Sequence, residues 1–275
     1  MSCRVMGVLN VTPDSFSDGG RHLDRQAAIA HGRAMRVAGA HLIDVGGEST
    51  RPGADAVDPV TEMERVLPVI EALAAEGPVS VDTRNAEVAD AAVEAGATII
   101  NDVSASLWEV AAAADVPWVC MHMQGDPTTM QVAPAYDDVV AEVVDFLAER
   151  AGRALDAGVP EVWIDPGIGF GKTSAHNLEL LAHLDLVVAL GHPVVIGTSR
   201  KGFLGRLHAR SDSGHRGPLD VATPELDAFD PVGSDDRIEA TIATNVWAAA
   251  LGASWVRVHD VEPLADAITV AGHAA

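Results

Sequence analysis

Three times in this 275-residue chain a helical stretch is stopped by glycine and followed at once by a short apolar run. The junctions are Ala38-Gly39-Ala40 before Leu42-Ile43-Asp44, Ala95-Gly96-Ala97 before Ile99-Ile100-Asn101, and Leu251-Gly252-Ala253 before Trp255-Val256-Arg257. Glycine ends a helix readily because it adopts the left-handed cap without strain. A short apolar run with no polar alternation reads as a strand buried on both faces. Such strands are expected near 5–9, 42–45, 78–81, 98–101, 117–121, 161–165, 193–197 and 254–258. Between them the period is helical. Val60, Met63, Leu67, Ile70 and Ala74 share one face of a helix opened by Asp58 and Pro59, and Val139, Val143, Leu147, Ala151 and Leu155 share one within 136–157. Eight strands alternating with eight helices in about 250 residues predict an α/β fold, a single (β/α)8 TIM barrel over 1–275. The other architecture is an open doubly wound sheet, against which no Gly-x-Gly-x-x-Gly follows the first strand.

Composition narrows the partners. With 48% hydrophobic residues the chain can bury a full core. No run approaches ~18 apolar residues and no basic-then-apolar leader opens the chain, so neither a membrane span nor a signal peptide is expected. Cys3 and Cys120, far apart in apolar strands, suggest reduced thiols in a cytoplasm. A net charge of −22 argues against nucleic acid as a partner, because phosphate backbones need basic surface. Only two lysines, Lys172 and Lys201, stand beside sixteen arginines.

A barrel gathers the C-terminal ends of its strands at one mouth, where active sites form. Those ends read Asn10, Asp44, Asp82, Asn101, His122, Asp165, Ser199 with Lys201, and Arg257 with His259. Every one carries a strong hydrogen-bonding group, which points to an enzyme. From Asp165 to Thr173 the chain reads Asp-Pro-Gly-Ile-Gly-Phe-Gly-Lys-Thr, a loop whose backbone can approach a flat or anionic ligand. Its ending resembles a nucleoside-triphosphate loop, but that motif requires glycine where Pro166 stands. The stretches 11–20 and 46–54 are rich in turn residues and are expected to lie over the mouth as lids.

Asp82, Asn101 and Asp165 place two carboxylates and an amide on one side of the mouth. Carboxylates beside apolar strands need donors. An edge of adjacent N–H groups, as in an aminopyrimidinone, supplies them at roughly 1.5–3 kcal/mol per charge-assisted bond. A glycosidase pair, or a divalent metal held by Asp82 and Asp165, are the alternatives. Opposite, Lys201, Arg257 and His259 with Arg51 form a cationic cluster suited to diphosphate, the histidine offering a proton to a leaving group. Asn10 is placed to hold a magnesium ion bridging such phosphates. An acceptor-rich half facing a cation-rich half fits a heterocycle that carries a diphosphate.

Six motifs now stand in order: Gly7-Val-Leu-Asn-Val-Thr-Pro-Asp-Ser-Phe-Ser-Asp-Gly-Gly20, Asp44-Val-Gly-Gly-Glu-Ser-Thr-Arg-Pro-Gly53, Asn101-Asp-Val-Ser104, Asp165-Pro-Gly-Ile-Gly-Phe170, Thr198-Ser-Arg-Lys201 and Val256-Arg-Val-His-Asp260. Together they resemble the dihydropteroate synthase family nearly end to end. The resemblance implies a (β/α)8 barrel that joins 6-hydroxymethyl-7,8-dihydropterin diphosphate to p-aminobenzoate, releasing diphosphate and 7,8-dihydropteroate. It implies a dissociative mechanism and usually a homodimer. By matching position, Asp82, Asn101, Asp165, Lys201, Met123 and Arg257 would bind the pterin. Arg51, Arg257, His259 and Asn10 with magnesium would hold the diphosphate. Thr50, Pro52, Phe170 and Ser199 would line the p-aminobenzoate slot, closed by Phe16 and Asp14. Lys201, Asp14, Arg51, Arg257 and His259 would be the catalytic set. A pterin-binding methyltransferase and a non-catalytic pterin-binding paralogue are the rival readings.

The chain departs from that pattern twice. Ala105-Ser-Leu-Trp108 stands where the family usually has a Gly-Gly turn and a longer linker. Residues His208 to Ser234 form an acidic insertion, with Pro218, Pro224 and Pro231 breaking it up. It is expected to be irregular surface decoration against the barrel.

Overall fold

The computed structural model of the chain describes residues 2–12, 20–48, 57–214 and 224–275. Its eight strands are β1 (Arg4–Asn10), β2 (Leu42–Gly46), β3 (Val79–Asp82), β4 (Ile99–Asp102), β5 (Trp118–Met121), β6 (Val162–Asp165), β7 (Val195–Ile196) and β8 (Trp255–Val258). All pair in parallel, in the order β6-β5-β4-β3-β2-β1-β8-β7. A parallel bridge between Ile164 and Val194, with Ile164 N donating to Pro193 O at 2.9 Å, joins the two ends and makes the sheet a nearly closed (β/α)8 barrel. Outside it run α1 (Gly20–Val37), α2 (Pro59–Ala74), α3 (Ala86–Glu94), α4 (Trp108–Ala113), α5 (Val139–Asp156), α6 (Ser174–Ala182), α7 (Leu184–Val188), α8 (Gly202–Asp212), α9 (Ile238–Ala250) and α10 (Val261–Val270). No helix among the described residues is long and apolar enough to cross a membrane.

The elements start and stop where local chemistry directs. Gly39, Gly96 and Gly252 have φ of 105°, 107° and 105°, so all three glycine stops are the same left-handed turn back toward the sheet. Asp58 caps α2 by accepting Thr61 N at 3.0 Å, with Pro59 in the first turn, and Asp138 caps α5 by accepting Val140 N and Ala141 N at 3.0 Å each. Two helix faces differ from the sequence reading. Val60 is 61% exposed, while Ile70 is buried, Met63, Leu67 and Ala74 pack half-buried against the core, and α2 also buries Glu62, Val66, Val69 and Leu73. Leu155 is 47% exposed while Ala154 is buried. Both misplaced residues lie in a terminal turn, and a barrel helix also packs on its helical neighbours, so its buried stripe is wider than a single row.

The apolar interior has two shells. The larger fills the space between strands and helices. The smaller lies inside the barrel, where Met6, Leu42, Ile99, Val119, Trp163, Val195 and Trp255 form a floor. Trp163 stacks on Trp255 with centroids 4.8 Å apart. The mouth residues Asp44, Asn101, Asp165 and Arg257 lie two positions beyond Leu42, Ile99, Trp163 and Trp255, so the two-residue period of a strand puts floor and mouth on the same inward face.

The insertion differs from expectation at its start, since α8 continues to Asp212. Residues 215–223 lie outside the described residues. The rest holds two 3-10 turns, Pro224–Ala228 and Ser234–Arg237, and Leu226 in the first is buried.

After β4, Ala105 takes the left-handed φ of 52° that glycine would adopt freely. The fully buried Asp102 carboxylate holds this turn. It accepts Ser104 N (2.8 Å), Ser104 Oγ (2.5 Å), Ser106 N (2.7 Å), Leu107 N (2.7 Å) and Trp118 Nε1 (3.2 Å). Removing it strands several buried donors, at about 1–3 kcal/mol each before relaxation. Asp102→Ala is therefore expected to lower unfolding free energy by about 3 kcal/mol in urea titrations, and a change within experimental scatter would contradict this account of the turn.

Candidate active site

Above the apolar floor the inward positions become polar. The strand register sets Asp44 beside Ser80, and Asp82 beside both Gly46 and Asn101. Asp44 is fully buried and accepts Ser80 Oγ (2.6 Å), Asn101 Nδ2 (3.0 Å) and Arg257 Nε (2.6 Å). Arg257 also donates through Nη2 to Asp82 Oδ2 at 2.5 Å. Burial alone would lower the Arg257 pKa, but Asp44 and Asp82 outweigh it and hold the guanidinium firmly protonated. Burial pushes Asp82 up to about 7, with Arg257 opposing and Asp44 adding to the rise. Burial also raises Asp165, against the Gly167 N–H and Lys201. Two carboxylates share one guanidinium here, so the group has acceptor capacity left for a ligand's donors.

The loop after β6 is held by buried contacts. Asp165 Oδ1 accepts Gly167 N at 2.7 Å. Gly167 has φ of 67°, and a Cβ there would sit 1.8 Å from His122 O, so only glycine fits. Lys172, 3% exposed, folds back with Nζ 2.9 Å from His122 Nδ1, 3.0 Å from Gly167 O and 3.1 Å from Phe170 O. Burial lowers Lys172 to about 7, and burial followed by Lys172 lowers His122 to about 3, so His122 is neutral and its Nδ1 accepts. Three acceptors thus meet the three N–H bonds of an ammonium group. Asn177 of α6 accepts Gly169 N at 2.6 Å. The outcome is a fixed Phe170 whose ring lies 4.0 Å from Lys201 Nζ, a cation–π pair. Burial, then Arg257, lowers Lys201 to about 8.

These residues surround a small, solvent-open depression lined by Asp82, Asn101, Val103, Met121, Asp165, Gly167, Ile168, Phe170, Gly197, Lys201 and Arg257. Asp82, Asn101, Asp165, Phe170, Lys201 and Arg257 from the sequence reading therefore meet in one place. The expected split into an acceptor half and a cationic half does not hold, because Arg257 lies between Asp44 and Asp82. Met123 packs at the rim with Phe170, while Met121 lines the depression. Ser199 Oγ accepts His259 N at 3.2 Å and lies 3.1 Å from His259 Nδ1. Burial, then Arg257, lowers His259 to about 3. His259 is thus neutral as the site stands, where the sequence reading gave it a proton to donate. Asn10 ends β1, half-buried and in register with Gly46. Among the described residues, no group of three or more His, Cys, Asp and Glu side chains could hold a metal ion. Asp14, Phe16, Thr50, Arg51 and Pro52 lie outside the described residues.

Two residues that organise the site had no role in the sequence reading. Asp44 stood as a strand end and as the first residue of the second motif, with no binding role given to it, and Lys172 only as half of a rejected motif. The scarcity of lysine was the available signal for the second, since both lysines of the chain lie at this loop, Lys172 buried within it and Lys201 against Phe170.

Residues 6–259 match the family described as pterin binding enzyme. A curated relative named dihydropteroate synthase, from Mycobacterium leprae, is 46% identical, the match covering 98% of this chain and 92% of the relative. The Xanthomonas albilineans dihydropteroate synthase solved with 4-aminobenzoic acid has a TM-score of 0.84 at 47% identity, covering 98% of this chain and 92% of that one. The same organism's enzyme in complex with 7,8-dihydropteroate gives a TM-score of 0.81 at 44% identity, with coverages of 98% and 92%.

Because Asp44 is the buried anchor of Arg257, Asn101 and Ser80, Asp44→Ala leaves three donors unpaired and the Arg257 charge met by Asp82 alone. It is expected to cost about 3–5 kcal/mol of unfolding free energy, read by denaturant titration. Asp44→Asn keeps the shape and one acceptor and is expected to cost less; equal stability of the alanine variant and the parent would contradict the anchoring role.

Proposed function

The chain belongs to the dihydropteroate synthase family of pterin-binding enzymes, and from that premise we propose that it joins 6-hydroxymethyl-7,8-dihydropterin diphosphate to p-aminobenzoate. In this reading the bond from the exocyclic methylene carbon to oxygen breaks first and diphosphate departs with the electron pair. The arylamine nitrogen then bonds to that carbon and loses a proton to solvent, giving 7,8-dihydropteroate. The observation that carries the reading is the acceptor set around the depression, buried Asn101 and Asp165 with the mostly buried Asp82, and Lys201 and Arg257 at its wall.

Asp82 and Asp165 would accept from the pterin's amino and ring N–H groups. With Asn101 Nδ2 committed to Asp44, its carbonyl oxygen is the end left to accept from the ligand. The same carboxylates would stabilise positive charge on the pterin after diphosphate leaves. Lys201 and Arg257 would stay protonated near neutral pH and meet the developing anion. Met123 would support the pocket from the rim. Phe170 would give the p-aminobenzoate ring an apolar wall, and Ser199, through His259, would orient the neighbouring imidazole so that Nε2 carries its hydrogen toward a phosphate oxygen. The roles of Asp14, Arg51, Thr50, Pro52 and Phe16 rest on the resemblance of their motifs. The bound 4-aminobenzoic acid and 7,8-dihydropteroate of the Xanthomonas albilineans enzyme support both ends of this assignment.

Magnesium fits only in a limited way. Asn10 offers one amide oxygen, so the ion would be held chiefly by diphosphate oxygens and water, as magnesium in phosphate sites commonly is. When bound it would neutralise charge on the departing diphosphate. A homodimer follows from the family resemblance, and the 52% exposed Trp247 of α9 is apolar surface that a second copy would cover.

Incubation with the pterin diphosphate, p-aminobenzoate and magnesium is expected to give dihydropteroate and diphosphate in equal amounts; absence of both products from folded protein would remove the reading. Asp82→Ala and Asp165→Ala are each expected to weaken pterin binding by at least about tenfold, one lost charge-assisted bond each. Lys201 loses its proton as pH rises through about 8, so kcat/KM should decline above that pH. Lys201→Arg should carry the decline upward, because arginine keeps its charge, and an unchanged profile in that variant would contradict the charge requirement.

A further inference from the structure

We propose that the described end of the acidic insertion, Leu226 to Val232, is a clamp on the p-aminobenzoate side of the site, with Asp227 as its positioning residue. The inference rests on the reading that Phe170 borders the p-aminobenzoate slot, and it replaces the expectation that the insertion is surface decoration.

Two loops meet over that side of the depression, the one after β6 with Phe170 and the one after β7 with Lys201, and they touch through the Lys201–Phe170 cation–π pair. The insertion spans the same two loops from outside. At its first turn Asp227 accepts Ser174 Oγ at 2.5 Å and Ser174 N at 3.2 Å, at the opening of α6. A carboxylate there also meets the positive end of that helix. Asp227 Oδ1 lies 3.7 Å from Arg206 Nε of α8, so one carboxylate bridges the helices that follow the two loops. Leu226 beside it is buried, which seats the turn.

At its exit the insertion lies on the backbone of α8. A Cβ on Gly205 would come 2.7 Å from Arg237 Nε, 2.9 Å from Pro231 Cβ and 3.1 Å from Val232 O, so the chain passes where no side chain fits. Val232 N donates to Gly205 O at 3.3 Å, and Arg237 donates to Val232 O from Nε at 2.9 Å. Arg237 Nη1 reaches Arg200 O at 2.7 Å, one residue before Lys201. Arg200 itself has φ of 59°, a conformation that side chains rarely take, and its guanidinium pairs with Asp260 at 2.6 and 2.9 Å. The turn that presents Lys201 is thus held from both sides.

From Asp227 the path to the site is short. Ser174 opens the helix whose Asn177 accepts Gly169 N, and Gly169 adjoins Phe170. Loosening Asp227 should therefore blur Phe170 without touching Asp82, Asn101 or Asp165. The test uses the full chain with Asp227→Ala, and Asp227→Asn as the variant that keeps an oxygen for Ser174. In the alanine variant the KM for p-aminobenzoate should rise about tenfold with kcat and pterin affinity within about twofold of the parent, the pattern of lost positioning on one substrate only. Hydrogen exchange of the Gly169 and Phe170 amides should quicken, and the asparagine variant should recover most of both effects. Parent-like KM and exchange in the alanine variant would overturn the clamp, as would equal losses for both substrates. Should the parent form no dihydropteroate, the functional reading falls, while the exchange measurement still decides whether Asp227 holds the loop.

Discussion

The salt bridge from Arg257 to Asp44 and Asp82 is the constraint on which the mouth of this barrel depends. A guanidinium inside a barrel is tolerable only if its charge is met at once, and β2 and β3 each supply a carboxylate to meet it. Asp44 is fixed by Ser80 and Asn101 as well, so one buried carboxylate sets the positions of residues on β3, β4 and β8. Below lies a floor of apolar side chains closed by the Trp163–Trp255 stack, which denies water a route from beneath. The polar layer is therefore rigid for a physical reason. Any one of its members, displaced, leaves another unpaired in a low-dielectric space.

The glycine loop after β6 solves a second problem by different means. It must pass close to the β5 side of the mouth, which Gly167 permits, and it must stay there without regular backbone pairing. Lys172 supplies the missing donors to two loop carbonyls and uses neutral His122 as its third partner. A lysine buried for this purpose is costly in isolation, and its placement makes sense because the loop carries both Asp165 and Phe170. The two substrates of the proposed reaction would then meet groups mounted on one braced segment, with Lys201 packed against it.

Much of this was legible in the sequence because barrel geometry is written in short-range patterns. The eight strands lie within two residues of their expected limits, since each has an apolar run and a clear punctuation such as Gly39, Gly96 or Gly252. The strand-end residues Asp82, Asn101, Asp165 and Arg257 converge for the same reason. Pairing among them was not legible. Nothing local distinguishes an Arg257 that faces an outside anion from one held between Asp44 and Asp82, because those partners are fixed by register across the barrel. The width of the α2 face was missed for a related reason, as neighbouring helices share its burial. For the insertion, composition indicated an irregular segment against the barrel but not the particular seats that Asp227, Leu226 and Val232 find.

If burial holds Asp82 high and a ligand's N–H groups favour its ionised form, pterin binding must expel protons near neutral pH. Calorimetric titration of a hydroxymethylpterin in buffers of different ionisation enthalpy measures that number directly. The account predicts net proton release around pH 7 that diminishes in Asp82→Asn. Heat that is independent of buffer, or release unchanged in that variant, would contradict the claim that a buried, incompletely compensated acceptor set is what recognises the ring.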